Sequence, residues 1–310
     1  MSIMRRLILA GAENAWLREH AMRAPFVRRS VERFMPGEAM EDALAAARRI
    51  QDTQRIGTLL THLGENLASL TEAEAVTAHY LELIDRVQAS ALDAQVSVKL
   101  TQLGLDLGPA ECFRNMLALV ERAERSGRMV WIDMESSPYV DPTLDLFRRL
   151  RERTARVGIC LQAYLRRTPA DVEALVPLGA AIRLVKGAYR EPPSVAFPKK
   201  ADVDEQYYRV ARRLLDPALP PGTFLGIATH DERLVERLRT TAAAGGAERG
   251  RYEHEMLYGI RRPLQEKLVR ARVPLRVLIS YGEFWFPWYM RRLAERPANV
   301  LFVARGLIRG

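Results

Sequence analysis

Apolar runs recur along this chain, separated by stretches whose apolar residues repeat with helical period. The runs at 57–63 (GTLLTHL), 95–101 (QVSVKLT), 129–134 (MVWIDM), 158–162 (GICLQ), 181–186 (AIRLVK), 223–228, 252–257 and 274–279 predict eight strands. Helices are expected between them at 71–90, 109–126, 142–155, 168–177, 202–215, 231–244 and 262–271, with one before at 41–50 and one after at 286–296. Thr71 and Glu74 have capping-box spacing at the start of the 71–90 helix. The strands are continuously apolar (Val96-Ser97-Val98, Val130-Trp131-Ile132, Ile159-Cys160-Leu161), as strands covered on both faces are. Strands joined through one helix each must run parallel with right-handed crossovers, and eight such units close into a (β/α)8 barrel of the TIM type. An open doubly wound sheet is the alternative, but no Gly-x-Gly-x-x-Gly follows a strand. The expected organisation is a helical arm over residues 1–56 and a barrel over 57–310, with the final helix packed over the barrel mouth.

Several runs end in residues able to do chemistry: Lys99; Asp133 and Glu135; Gln162; Lys186, with Arg183 before it; Thr229 and His230. In a parallel barrel these ends converge on one face, where barrel enzymes build their sites.

Composition narrows the picture. The 310 residues are 48% apolar and 27% charged, ordinary for a globular chain. No apolar run approaches a membrane span. Cys112 and Cys160 fall in a predicted helix and strand and read as reduced core residues of a cytoplasmic protein. The net charge of +9 comes from arginines interleaved with glutamates, without a basic–aromatic strip, so nucleic acid is not an expected partner. That charge leaves room for docking on anionic lipid. The arginine-rich segment 1–34 also carries Glu13, Glu19 and Glu32, which argues against a targeting peptide.

Lys99 and Asp133 end neighbouring strands, where an ion pair or a Schiff-base lysine are both open readings. Arg183 and Lys186 are three apart, and Gly187-Ala188 follow, letting a flat or phosphorylated ligand approach the backbone. No His/Cys/Asp set has metal-ligand spacing, so no metal is expected. In the last helix Arg291 and Arg292 precede Glu295 among Phe284, Trp285, Phe286 and Trp288; an arginine pair suits a carboxylate.

At RLVKGAY (183–189) and MRRLAERPAN (290–299) the chain resembles the bacterial proline dehydrogenases, monofunctional in its length and similar to the flavin domain of the proline utilisation A proteins. SVKLTQLG (97–104), IDME (132–135), LQAY (161–164), ATHDE (228–232) and LYGIRR (257–262) extend the match from about Gly57 to Phe302. The resemblance implies FAD across the barrel mouth and L-proline between the flavin and the last helix, oxidised to 1-pyrroline-5-carboxylate, with electrons leaving for a quinone or another acceptor. Asp133 and Arg183 would be catalytic. Lys99, Asp133, Leu257, Arg291, Arg292 and Glu295 would bind proline, the arginines clamping its carboxylate. Met134, Gln162, Arg183, Val185, Lys186, Gly187, Ala188, Thr229, His230 and Glu255 would hold the cofactor. A quinone acceptor would give the basic surface a use, peripheral docking on the inner face of the cell membrane. Three residues depart from the family pattern: Glu255 for a glutamine, and Leu278 and Trp288 for tyrosines. Other readings of the same ring of residues are a Schiff-base lyase using Lys99 or Lys186 and a non-catalytic flavin or imino-acid binding protein.

Overall fold

The computed structural model describes residues 31–64, 67–248, 250–286 and 289–290. Eight strands form a closed parallel barrel in sequence order: β1 (Gly57–His62), β2 (Ala94–Val98), β3 (Val130–Ile132), β4 (Val157–Gln162), β5 (Ala181–Val185), β6 (Phe224–Ala228), β7 (Tyr252–Leu257) and β8 (Leu275–Tyr281). The parallel pairing of β1 with β8, Gly57 to Arg276 through His62 to Tyr281, closes the ring and rules out the open sheet.

Among the described residues eight helices surround it: α1 (Met40–Gln54), α2 (Leu70–Ala89), α3 (Pro109–Glu124), α4 (Val140–Arg151), α5 (Thr168–Leu175), α6 (Lys200–Leu214), α7 (Glu232–Ala244) and α8 (Arg262–Arg270). Each buries the stripe its periodicity predicts; α4 buries Val140, Thr143, Leu144, Leu146, Phe147 and Leu150 and leaves its charges outside. Helix α2 starts earlier than expected. Ser69 is its N-cap, accepting from Glu72 N at 3.3 Å, while Glu72 Oε2 accepts from Ala68 N at 2.8 Å. Ser69 and Glu72 thus take the capping role read into Thr71 and Glu74, because both spacings satisfy the same motif and the chain uses the first.

Alternation sorts the strand residues. Val96, Val98, Ile132, Ile159, Ile182, Leu184 and Ile227 belong to the main core that the barrel shares with its helices. Residues of the other parity face the barrel interior: Leu59, Trp131 and Ala181 pack together there with Phe224 and Leu278 alongside. At the amino-terminal end of the strands the interior is closed by Arg276, whose Nε lies 2.9 Å from Glu253 Oε1 and whose Nη1 lies 2.9 Å from Asp93 Oδ1. Gly57 has no side chain because a Cβ there would lie 2.2 Å from Arg276 Nη1.

At the other end Trp285, Phe286 and Tyr289 pack on Val31, Met35 and Leu63, and Trp285 Nε1 donates to Glu38 Oε1 at 2.7 Å. Trp285, Phe286, Tyr289 and Met290 are helical. Trp288, Arg291, Arg292, Glu295 and the rest of the expected last helix lie outside the described residues. No described helix is long and apolar enough to cross a membrane.

Candidate active site at the carboxyl ends of the strands

The site grows from the interior parity. Gln95, Ser97 and Lys99 share one side of β2 and its extension, as do Trp131 and Asp133, Cys160 and Gln162, Arg183 and Val185, and Glu255 and Leu257. Their contacts show that the side is the inner one. Arg183 Nη1 donates to Ser97 Oγ at 2.8 Å and to Asp133 Oδ1 at 3.0 Å. Ser97 Oγ donates to the same carboxylate oxygen at 2.7 Å. The guanidinium carbon stands 4.7 Å from the centre of the Trp131 ring, a cation over an aromatic face. Trp131 is fixed in turn by Nε1 donating to Gln95 Oε1 at 2.7 Å, and Gly158 clears the space its ring fills.

Across the barrel Arg183 Nε lies 2.6 Å from Glu255 Oε2, with side-chain exposures of 3% and 2%. The carboxylate sits off the N–H axis, so this contact is an ion pair rather than an aligned hydrogen bond. It forms because β6 offers Gly226 between the two strands: a Cβ there would stand 2.3 Å from Glu255 Oε1 and 3.4 Å from Arg183 Cα. Gly226→Val is therefore expected to drive the pair apart, costing ~2–4 kcal/mol in stability, at or above the range for forcing atoms into a packed core. Chemical denaturation at fixed pH checks it.

Burial pushes the Glu255 carboxyl up to about 7, although Arg183 pulls it down. For Arg183, burial works against the charge but the two facing carboxylates outweigh it and raise its pKa. The Glu255 shift has a sign that equilibrium unfolding can read. A carboxyl raised in the folded state holds its proton when the unfolded one has lost it, so its contribution is complete below about 4.5 and declines as pH rises through about 7. Glu255→Gln should flatten that segment of the stability profile.

The other described candidates lie around this cluster toward the strand ends. Gln162, buried, donates from Nε2 to the Met134 carbonyl at 3.2 Å, while its Oε1 has no hydrogen-bond partner among the described residues. Arg183 Nη2 is a buried donor in the same position. Met134 is buried, Val185 and Lys99 half-buried, and Ala188 exposed. Gly187 has φ +112°, and a Cβ on it would strike the Tyr164 ring at 2.1 Å. Its small size thus serves the Tyr164 ring as well as any approaching ligand.

Thr229 is buried, and its Oγ1 accepts from Asp231 N at 3.2 Å. His230 Nε2 accepts from the Leu257 backbone N–H at 2.9 Å. The same bond ties β6 to the end of β7. Lys186, unlike Arg183, turns away from the interior: its Nζ lies 2.5 Å from Asp204 Oδ1 and 2.8 Å from Asp231 Oδ2, and Lys200 joins both carboxylates. Glu135 accepts from Thr101 N and Oγ1, at 3.2 and 2.8 Å, and so fastens the 3-10 turn Thr101–Leu103. It shapes a loop. Cys112 and Cys160 are buried thiols, both pushed up to about 12 by burial.

Sequence reasoning did not single out Ser97, Trp131, Gly226, Asp204 or Asp231. The first two stand two residues before Lys99 and Asp133, so strand period alone would have placed them in the layer beneath. A glycine within the apolar run of β6 was a second available signal.

A closed barrel with a buried arginine, two carboxylates and a ring of polar strand ends at its carboxyl face defines a barrel enzyme. The chain belongs to the proline dehydrogenase family, whose model matches residues 43–305. It is 38% identical to proline dehydrogenase 2 of Bacillus subtilis (strain 168) over 256 residues, 83% of each chain. It is 36% identical to the proline dehydrogenase of Deinococcus radiodurans over 288 residues, 90% of each. Among solved structures, proline utilization A of Bdellovibrio bacteriovorus matches 94% of this chain with a TM-score of 0.80 and 23% identity, this chain spanning 36% of that one. The chain is therefore an enzyme of proline oxidation, and the family works with a flavin. The residues present suit a flavin ring: a buried acceptor at Gln162 Oε1 and a buried donor at Arg183 Nη2, both without described partners.

Proposed function

We propose that this chain oxidises L-proline to 1-pyrroline-5-carboxylate with FAD as its flavin and passes the electrons to a quinone. The single observation that carries this reading is the buried Arg183, held by Asp133 and Glu255 with Nη2 still unpartnered among the described residues. A guanidinium so fixed stabilises negative charge arriving beside it without reorganising. Residues 57–310 would carry the reaction, with 1–56 as a helical arm that lends α1 to the ring of helices around β8 and β1.

A bound flavin supplies a two-electron acceptor. Gln162, the Met134 backbone, Val185, Gly187, Ala188, Thr229 and His230 would line it, with Lys186 balanced by its two aspartates at the rim. Proline loses a hydride from the ring carbon beside nitrogen, and its amine must be neutral as that happens. Asp133 and Lys99 would face the ring, and Leu257 would bound its apolar side. Arg291 and Arg292 would grip the carboxylate, oriented by Glu295. Leu278, in the barrel interior beside Trp131, offers an apolar wall where the family pattern has a tyrosine.

Cofactor released by heat from purified protein tests the flavin's identity: FAD by mass supports the reading, and any other flavin contradicts it. Arg291→Ala or Arg292→Ala should weaken proline affinity by ~2–4 kcal/mol, as loss of one partner from a desolvated charge pair does. A change under ~1 kcal/mol, the value of a solvated pair, would contradict the clamp. The basic surface fits peripheral contact with anionic lipid near a quinone pool.

A further inference from the structure

Arg183 brings one positive charge into the interior, and two carboxylates converge on it. They are not equivalent. Asp133 meets Nη1 through an aligned hydrogen bond and is 23% exposed. Glu255 is 2% exposed, meets Nε off axis, and neither of its oxygens has a hydrogen-bond partner among the described residues. A carboxylate buried this deeply keeps its charge through its neighbours, here chiefly the field of Arg183.

The other groups around Glu255 leave that dependence in place. Glu253 on β7 and Arg276 on β8 pair with each other, Nε to Oε1 at 2.9 Å, so their fields largely offset. Cys160 on β4 and Tyr207 on α6 are both held neutral by burial. Asp133, just past the end of β3, shares the same guanidinium. Gly226 on β6 brings no charge, and its missing side chain makes the room that Glu255 Oε1 occupies.

We propose that Glu255 sets the reduction potential of the bound flavin through Arg183, and that it takes up a proton from solvent when the flavin is reduced. The proposal rests on the flavin reading above. Ionised Glu255 offsets the charge of Arg183, so electrons arriving beside the guanidinium are less stabilised. Protonated Glu255 leaves that charge balanced by Asp133 alone, and reduction becomes easier. Reduction delivers two electrons, and the negative charge they bring raises the affinity of Glu255 for a proton. That proton comes from solvent and forms an O–H bond on the carboxyl, which is neither oxidised nor reduced. The raised pKa of about 7 puts this exchange at neutral pH. Glu255 acts through Arg183 and needs no contact with proline.

The test is a potentiometric titration of the flavin-loaded protein with dithionite and a mediator dye, wild type against Glu255→Gln, from about pH 6 to about pH 9, a range spanning the raised carboxyl. At about pH 8 the variant should favour reduction at least tenfold over wild type, ~30 mV for a two-electron couple. The wild-type potential should also fall more steeply with pH around neutrality than the variant's, and the two should converge at the acid end. Equal potentials with equal slopes would overturn the proposal. If the variant takes up no flavin, the wild-type slope decides, and the absence of a proton-linked excess near neutrality overturns it. A wild-type chain without flavin bands after FAD is supplied would contradict the flavin reading itself, which separates the two failures.

Discussion

Arg183→Ala is expected to destabilise the fold by ~3–5 kcal/mol, the cost of breaking a buried charge pair from one side. It should also slow flavin reduction by proline at least ~1000-fold, the upper range for removing one electrostatic stabiliser of a transition state. Both follow from geometry. The guanidinium touches Ser97, Asp133 and Glu255 and stacks over Trp131, so its loss leaves two carboxylates facing each other in a nearly dry interior. The two effects are separable. In Arg183→Met with Glu255→Leu both partners become apolar, and most of the stability should return, because buried pairs are often replaceable by hydrophobic residues. Reduction by proline should not return, since the variant loses the guanidinium that Asp133 shares with Ser97 and Glu255. Guanidinium unfolding and anaerobic stopped-flow reduction on the same three proteins make the comparison. A double variant that is both stable and fast would show that Arg183 serves packing alone.

Asp133→Ala should suppress flavin reduction by proline ~100- to 1000-fold while the flavin stays bound. Its carboxylate lies one layer above Trp131 and accepts on Oδ1 from Ser97 and Arg183. The structure gives it two polar neighbours and partial exposure, which suits a group that meets a substrate. Removing it leaves Arg183 with Glu255, so folding should suffer less than in Arg183→Ala. Apo-protein from this variant would reassign Asp133 to cofactor retention, and unchanged reduction would remove it from the site.

Much of the fold was legible because parallel barrel strands are buried on both faces and read as continuous apolar runs. Strand β7 matches its expected limits residue for residue, and Arg183 and Lys186 part to opposite environments as three-residue spacing on a strand requires. Ends were less legible. Strand β2 stops at Val98 because Lys99 and Leu100 enter a 3-10 turn held by Glu135, a side chain from the next strand's loop. No local pattern announces such a bond. The same holds for the site: Arg183 and Glu255 are far apart in sequence, and their contact depends on a glycine on the strand between them. The carboxylates on Lys186 likewise come from α6 and from the N-cap of α7, placed by the closure of the barrel.

Proline oxidation by a bound flavin is read most directly in the visible spectrum of the purified protein before and after L-proline is added without oxygen. Flavin bands that bleach on addition are expected. Flavin bands that persist unchanged in wild-type protein, or a protein that stays colourless after FAD is supplied, would contradict that reading.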